Sequence, residues 1–205
     1  MIKIGITGSI ASGKTTASKI LSYKNGPLFS ADNEIKKLYQ NKIFKRNLLK
    51  MFSITGESNL KTLLKKKIFE NKKNFRKLER IVHPKVRSEM KKFSAKHTNK
   101  KKIFYEIPLL IENKLMKYFD VIIFIKSKKT TRFKRFITRW GDKKLFNLLN
   151  KKQLSDRKKE KFSDHVVKNE KSISILKKNL LDIIKLYEWG IFRHRNDRPF
   201  FRWWA

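Results

Sequence analysis

The chain has 205 residues, 40% of them hydrophobic, and its 53 lysines and arginines against 17 aspartates and glutamates give a net charge of +36. This length and hydrophobic content predict one folded domain with insertions and argue against a disordered chain, and the lack of cysteine excludes disulfides, thiolate metal sites and cysteine nucleophiles. No apolar segment has the length of a membrane span and the N-terminus lacks a signal-peptide pattern, so we expect a cytoplasmic protein.

The first predicted elements are a strand, a glycine-rich loop and a helix. Apolar residues alternate over residues 2–7, as in a short strand, and recur at helical spacing over residues 17–21. Between them, residues 8–15 read GSIASGKT, which fits the phosphate-binding pattern G-x-x-x-x-G-K-[ST]. In that geometry backbone N–H groups and the helix N-terminus bind phosphates, Lys14 reaches them and Thr15 ligates Mg²⁺. The chain is therefore predicted to bind a nucleoside triphosphate.

A second short strand is predicted at residues 27–31, directly before Asp32. Residues 33 to about 100 show apolar positions at spacings near three and four and no strand pattern, so we expect a basic helical insertion. His83 precedes Pro84 within it. Because proline disfavours helical geometry in the residue before it, this pair is typical of a helix boundary.

Two apolar runs of strand length follow, at residues 103–107 and 121–125. The second is almost continuous, as expected for a strand that is buried on both faces of a parallel sheet. Residues 128–161 are predicted to be helical with a break at Gly141, and residues 164–167 predict a last short strand before an amphipathic closing helix. Strands that alternate with helices predict an α/β protein with a doubly wound parallel sheet of about five strands.

In such a sheet, ligands bind at the carboxyl ends of the strands. Asp32 is then expected beside the phosphate loop, and Glu106 lies near the end of the next predicted strand. Arg132, Arg135 and Arg139 recur at spacings of three and four, so they should project from one side of the helix after the fourth strand. Phosphoryl transfer requires cations around the phosphoryl oxygens and a base near the attacking hydroxyl. The pattern therefore favours a phosphotransferase.

Several motifs, taken in order, resemble those of the dephospho-coenzyme A kinase family over residues 1 to about 187. They are the glycine loop, Ser30-Ala31-Asp32, His83-Pro84, Pro108-Leu109-Leu110-Ile111-Glu112 followed by Asp120, the lid arginines Arg135 and Arg139, Gln153, Ser163-Asp164 and Asn169. The resemblance implies a P-loop NTPase-type three-layer α/β/α fold with a helical acceptor-binding insertion at about 33–100 and a helical lid at about 128–161. It also implies transfer of the γ-phosphate of ATP to the ribose 3′-hydroxyl of dephospho-CoA, which gives CoA and ADP in the last step of coenzyme A synthesis.

The resemblance further implies a role for each motif residue. Catalysis would depend on Asp32 as the base, on Lys14 at the phosphates and on Arg139, which closes with Arg135 over the transferring group. ATP would be bound by Gly8, Ala11, Ser12, Gly13, Lys14, Thr15, Thr16, Arg135, Arg139 and Asn169, with Mg²⁺ on Thr15. Dephospho-CoA would be bound by Asp32, Lys61, His83, Pro108 and Leu109.

Five positions depart from the family pattern. Ser9 and Ala11 replace glycines of the loop, and Ser30 replaces the first aspartate of an Asp-Ala-Asp element. Lys61 stands where arginine is usual, a change that keeps the positive charge and loses bidentate recognition of an anion. Trp140 stands where a small or polar residue is usual. These departures bear on affinity more than on the type of reaction.

For several of these residues a structural role is an open alternative. Asp32 could cap the end of a strand, and Pro108 and Leu109 could belong to the core. Glu106 could bind Mg²⁺ through water or be a buried structural group. Asn169 could contact adenine or form a loop.

Two other functions stay open, namely a nucleoside monophosphate kinase of the same superfamily and an ATP-dependent RNA-associated protein. A net charge of +36 suits nucleic acid or an anionic membrane, but the lysines are spread along the chain, as a genome of biased nucleotide composition would produce. We therefore expect no dedicated nucleic-acid partner, and the oligomeric state is left open. Residues 188–205 lie beyond the resemblance, and their aromatics and arginines could bind bases or a membrane or pack on the protein's own surface.

Overall fold

The computed structural model describes residues 1–54, 60, 62–64, 67 and 71–188. In chain order its helices and strands are β1 (Ile2–Gly8), α1 (Lys14–Ser22), β2 (Leu28–Ser30), α2 (Ala31–Gln40), α3 (Lys42–Phe52), α4 (Lys72–Lys96), β3 (Lys102–Glu106), β4 (Val121–Lys126), α5 (Lys129–Trp140), α6 (Lys143–Lys151), α7 (Asp156–Lys161), β5 (His165–Lys168) and α8 (Ile173–Leu186). In this part of the chain no helix is both long and apolar enough to cross a membrane.

The chain divides into two compact units, of which the first comprises residues 1–30 and the chain from His97 onward. Its described residues form a five-stranded sheet with the strand order β2-β3-β1-β4-β5, and every pair of neighbouring strands is parallel. Ile6 of β1 lies opposite Glu106 of β3 and Ile123 of β4. Because the strands are parallel, their carboxyl ends meet at one edge, where β1 leads into the phosphate loop. The predicted α/β class and parallel sheet are confirmed.

The core of this unit lies on one face of the sheet, against α1 and α8. Strands β3 and β4 are buried along almost their whole length, which explains why their sequences are continuous apolar runs. Fully buried members of this core are Ile4, Ile6, Ala17, Leu21, Phe104, Ile123, Ile125 and Leu180. On the other face Tyr105 packs edge to face on Phe119, with ring centroids 5.3 Å apart. Burial on both faces makes the sheet a rigid support for the loops at its carboxyl edge.

The second unit, residues 31–96, is helical in its described residues and has a core of its own. Phe44, Leu48 and Phe52 recur on one face of α3 and pack with Val82 of α4. Asn41 caps α3, because its side-chain oxygen accepts a hydrogen bond from the Phe44 amide at 2.9 Å. The helical character predicted for this part of the chain is confirmed where the structure describes it.

The predicted end of the second strand is wrong. Strand β2 ends at Ser30, and Ala31 is already the first residue of α2. Asp32 therefore lies in the first turn of a helix and does not cap a strand end. A carboxylate in the first turn of a helix is favourable because the unpaired N–H groups there carry partial positive charge.

The predicted helix boundary at His83 is also wrong. His83 and Pro84 both lie inside α4, a helix of 25 residues. Proline removes one backbone N–H donor and crowds the preceding turn, which costs about 3 kcal/mol in a helix interior. Residues of this helix pack into the core of the second unit, and that burial offsets the cost.

Candidate active site

The phosphate loop joins β1 to α1, in the order that the sequence predicts. A Cβ atom on Gly8 would lie 2.6 Å from the carbonyl oxygen of Ile125, and one on Gly13 would lie 2.2 Å from the side-chain nitrogen of Asn169. Gly13 also has a φ of +91°, which favours glycine. The two glycines of the motif are thus required by close approach of neighbouring chain segments.

Hydrogen bonds within the loop hold Lys14 and Asn169 in place. The Lys14 ammonium donates to the Ser9 carbonyl at 3.2 Å, and the Ser12 amide donates to the same carbonyl at 3.1 Å. The Asn169 side chain donates to the Ser12 carbonyl at 2.8 Å. Asn169 therefore fastens the loop to the end of β5, a role that the sequence offered only as a general loop-forming alternative.

Thr15 and Glu106 meet at the carboxyl edge of the sheet. The Thr15 hydroxyl donates to Glu106 Oε1 at 2.5 Å. Glu106 is only 2% exposed, is the last residue of β3 and lies opposite Ser30 of β2. A carboxylate beside the hydroxyl that the loop motif assigns to Mg²⁺ is an arrangement of oxygen donors that suits this ion.

Among the described residues, no group of three or more histidines, aspartates and glutamates is arranged to hold a metal ion. Mg²⁺ commonly takes only one or two ligands from the protein and completes its shell with phosphate oxygens and water. The pair of Thr15 and Glu106 fits that mode of binding.

A cavity of about 210 Å³ lies beside the phosphate loop, within the first unit. It is lined by Ala11, Gly13, Thr16, Arg135, Arg139, Asn169, Lys171, Ile173 and Leu176. The structure thus brings together the loop, Arg135 and Arg139 of α5, and Asn169 after β5. The cavity is also lined by Lys171, Ile173 and Leu176, which are not among the residues that the sequence predicts for the site. The helical pattern marks Leu176 only as an apolar helix position, since contact with the loop depends on how α8 packs.

The three arginines of α5 have different surroundings. Arg132 is 5% exposed, and its guanidinium donates to the Ser127 carbonyl at 3.1 Å and to Asn150 Oδ1 at 2.8 Å. Burial lowers the pKa of Arg132 from its ordinary value, and the nearby carboxylates of Asp156 and Glu170 act in the opposite direction. Arg132 is thus a buried anchor of α5.

Arg135 and Arg139 reach the cavity instead. Arg135 donates to the Ser127 hydroxyl at 3.2 Å and to the Asn169 carbonyl at 3.1 Å. Arg139 is exposed, and its guanidinium lies 5.9 Å from the centre of the Trp140 ring. The unusual residue at 140 therefore offers a cation–π contact to the arginine before it.

Two further motif residues link residues 153–159 to the loops that follow β1 and β3. Gln153 accepts a hydrogen bond from the Ile10 amide at 2.8 Å. Glu112 accepts from the Leu154 amide at 3.1 Å and lies 2.8 Å from the ammonium of Lys159, which is fully buried. These contacts give Gln153 and Glu112 structural roles within the first unit.

Pro108 and Leu109 form a turn directly after β3, and both are half-buried. The Thr7 hydroxyl donates to the Pro108 carbonyl at 3.2 Å, which places this turn next to the end of β1. Leu110 is fully buried and packs beside Gly5. Pro108 and Leu109 thus lie partly exposed at the carboxyl edge, while Leu110 belongs to the core.

The remaining residues predicted for the acceptor belong to the second unit or lie outside the described residues. Asp32 is on α2 and His83 is on α4, where His83 is half-buried. Burial lowers the pKa of His83, Glu79 raises it and Arg87 lowers it. Lys61 and the tail from residue 189 lie outside the described residues. The roles of these residues stay predictions.

The chain is similar in sequence to known proteins. A sequence profile of dephospho-CoA kinase matches residues 2–174. A dephospho-CoA kinase of Rickettsia typhi is 34% identical over 195 residues, which cover 92% of this chain and 98% of that protein. A dephospho-CoA kinase of Fusobacterium nucleatum is 34% identical over 182 residues, which cover 86% of this chain and 94% of that protein.

Solved structures agree with these matches. Dephospho-CoA kinase from Campylobacter jejuni superposes with a TM-score of 0.63 at 26% identity, over 90% of this chain and 96% of that one. The TT1252 protein from Thermus thermophilus superposes with a TM-score of 0.77 at 25% identity, over the same shares of the two chains. The profile covers most of the chain and the relatives are matched over nearly their whole length. The chain therefore belongs to the dephospho-CoA kinase family and is a kinase that transfers phosphate to an alcohol.

Proposed function

We propose that this chain transfers the γ-phosphate of ATP to the ribose 3′-hydroxyl of dephospho-CoA and releases CoA and ADP. One observation in the structure carries the proposal beyond family membership. The phosphate loop, Arg135, Arg139 and Asn169 surround a single cavity, as a nucleotide site of a phosphotransferase requires. A cytoplasmic location is proposed with this function.

The cavity would hold the base and ribose of ATP. Its volume of about 210 Å³ is smaller than the roughly 300 Å³ at which whole-ligand pockets begin, so the triphosphate would extend from it along the loop. Ile173 and Leu176 offer an apolar wall for the base. The buried Ser12 hydroxyl has no hydrogen-bond partner among the described residues, and a phosphate oxygen would supply one.

We assign the metal position to Thr15 and Glu106. Thr15 would hold Mg²⁺ through its hydroxyl, and Glu106 would fix the orientation of that hydroxyl by accepting its hydrogen bond. When bound, the ion would supply charge neutralisation at the phosphates. The burial of Glu106 keeps its carboxylate in one position, which suits an orienting role.

The proposed reaction is an in-line displacement. The 3′-oxygen forms a bond to the γ-phosphorus, the bond from that phosphorus to the bridging oxygen of ADP breaks, and Asp32 accepts or orients the hydroxyl proton. Lys14 would move from the Ser9 carbonyl to the phosphates. Arg135 and Arg139 would stabilise the charge on the transferring group.

By resemblance to the family, the acceptor would be bound by Asp32, Lys61, His83, Pro108 and Leu109. The half-buried turn of Pro108 and Leu109 supports this assignment, because it lies at the same sheet edge as the phosphate loop.

The test is ATP turnover with Mg²⁺ in the presence of dephospho-CoA, adenosine monophosphate, cytidine monophosphate or no acceptor, with each product identified by mass. We expect phosphorylation of dephospho-CoA alone. Transfer to a monophosphate would instead indicate a nucleoside monophosphate kinase. RNA binding with a steep salt dependence at physiological ionic strength, without any transfer, would favour the RNA-associated alternative.

A further inference from the structure

Ser9 stands at a loop position where the family pattern has glycine, yet its side chain makes a specific contact. Ser9 is 3% exposed, and its hydroxyl donates to Asp156 Oδ1 at 2.6 Å. Asp156 is the first residue of α7, at the end of the lid. A short hydrogen bond to a carboxylate in a partly buried position is stronger than one between neutral groups.

The backbone of Ser9 is the part of the loop that holds Lys14. The Ser9 carbonyl accepts hydrogen bonds from the Lys14 ammonium and from the Ser12 amide. The next residue, Ile10, donates its amide to Gln153. Two successive loop residues are therefore fastened to one short segment, residues 153–156.

Asp156 is in turn linked to the helix that carries the lid arginines. Its second oxygen, Oδ2, lies 3.9 Å from a terminal nitrogen of Arg132. Arg132 is buried in α5 and donates a hydrogen bond to Asn150. The same helix presents Arg135 and Arg139 to the cavity. Contacts thus run without a break from the phosphate loop through Asp156 to α5.

We propose that Ser9 and Asp156 form a positioning pair, which holds the phosphate loop and the lid helix in the arrangement that binds ATP. The pair acts through the backbone of the loop and does not itself touch the reacting atoms. This inference rests on the proposed use of the loop as the ATP site. Without the hydrogen bond between Ser9 and Asp156, the loop is less ordered before ATP binds. The free-energy cost of ordering the loop then lowers the affinity for ATP.

The test measures the ATP dissociation constant by calorimetry and the kinetic constants for both substrates. Ser9→Ala and Asp156→Ala should each weaken ATP binding and raise its KM about fivefold, the worth of one hydrogen bond. In Ser9→Ala, which removes only the hydroxyl, the kcat and the KM for dephospho-CoA should stay within about twofold. Asp156→Asn keeps an accepting oxygen for Ser9 and should restore most of the ATP affinity.

The double variant and a matched control complete the experiment. The double variant with Ser9→Ala and Asp156→Ala should bind ATP no more weakly than the single variant of lower affinity. The reason is that both substitutions remove the same hydrogen bond. Ser22→Ala removes a hydroxyl that donates to the Lys19 carbonyl at the end of α1 and should leave ATP binding unchanged. If Asp156→Ala does not fold, Ser9→Ala decides the question alone.

Three results would contradict the positioning role proposed for Ser9 and Asp156. They are unchanged ATP affinity in Ser9→Ala, additive losses in the double variant, and an Asp156→Asn variant as impaired as Asp156→Ala. Failure of the proposed function is distinguishable, because it would appear as a wild-type protein that transfers no phosphate to dephospho-CoA. The calorimetric comparison needs no turnover and would still report on the loop.

Discussion

Ala11 lies in the phosphate loop with a φ of +58°, in the left-handed region that favours glycine. An L-residue there is strained by roughly 1 kcal/mol, since its Cβ crowds the following carbonyl. Ala11→Gly should therefore raise the free energy of unfolding by about 0.5 to 1 kcal/mol, measured by urea denaturation. Ala17→Gly, in the buried interior of α1, is the control and should lower it by about 1 kcal/mol. A loss of stability in Ala11→Gly would contradict the strain.

Glu106 allows a test of the metal assignment at a single carboxylate. Glu106→Gln keeps the size of the side chain but weakens its hold on the Thr15 hydroxyl. We expect the Mg²⁺ concentration for half-maximal activity to rise about tenfold, as for other groups that orient a metal ligand. Glu89→Gln, on the exposed side of α4, is the control and should leave this concentration unchanged. An unaltered Mg²⁺ dependence in Glu106→Gln would make Glu106 a purely structural group.

His83 carries the pH dependence that the structure predicts. Burial holds its pKa below the ordinary value of about 6.5, so the imidazole is neutral at pH 7. Glu79 raises this pKa, so Glu79→Gln should lower it further, and titration of the His83 ring by NMR measures both values. An unchanged or higher pKa in Glu79→Gln would contradict this account.

The same shift has a consequence for stability. The unfolded chain binds the His83 proton more readily than the folded chain, so stability should fall as the pH drops through about 6.5. It should then level off below the pKa of the folded state. His83→Gln removes the titrating group and should remove this part of the pH dependence.

At the scale of elements, α5 carries one buried arginine, which is its anchor, and two arginines that line the cavity. Arg132 is buried and donates a hydrogen bond to Asn150, while Arg139 is exposed at the cavity. Arg132→Ala should lower the free energy of unfolding by about 2 kcal/mol, because buried partners lose a charged donor. Arg139→Ala should leave stability nearly unchanged and lower kcat about a hundredfold, the usual effect of losing one donor to the transition state.

The two arginine variants are each other's controls, since both remove a guanidinium from the same helix. Chemical denaturation and steady-state kinetics on both proteins give the comparison. A large stability loss in Arg139→Ala with little effect on kcat would reverse the assignment of anchor and ligand group.

Elements could be predicted where one local signal dominates. Strands β3 and β4 are apolar runs with no competing helical pattern, and the glycine loop has close contacts that only glycine allows. The prediction is wrong at Ala31 because this apolar residue directly follows the strand, whereas Asp32 and Glu34 in the first helical turn favour a helix start. It is wrong at Pro84 because packing along a long helix outweighs one lost hydrogen bond.

The candidate site divides in the same way. Gly13 and Arg135 could be predicted because motif spacing alone brings them to the carboxyl edge of the sheet. The buried position of Arg132 and the contribution of Ile173 to the cavity could not, because both depend on how distant helices pack. The contact of Ser9 with Asp156 joins residues 147 apart in the chain, a separation that no local pattern reports.

At the scale of the whole molecule, the net charge of +36 acts on every anion near the protein. It raises the local concentration of both proposed substrates, which carry phosphates, and this attraction weakens as salt screens it. We expect the same field to attract RNA of any sequence at low salt. Binding of polyanions therefore does not distinguish the functions considered for this chain, whereas the chemical product does.

The most direct test is the ATP-dependent reaction with dephospho-CoA beside its 3′-deoxy analogue, with the product of each analysed by mass and phosphorus NMR. We expect stoichiometric formation of ADP and of CoA that carries the new phosphate on the ribose 3′-oxygen, and no product from the analogue. A phosphorylated analogue, or no transfer to dephospho-CoA by the folded protein with Mg²⁺ and ATP, would contradict it.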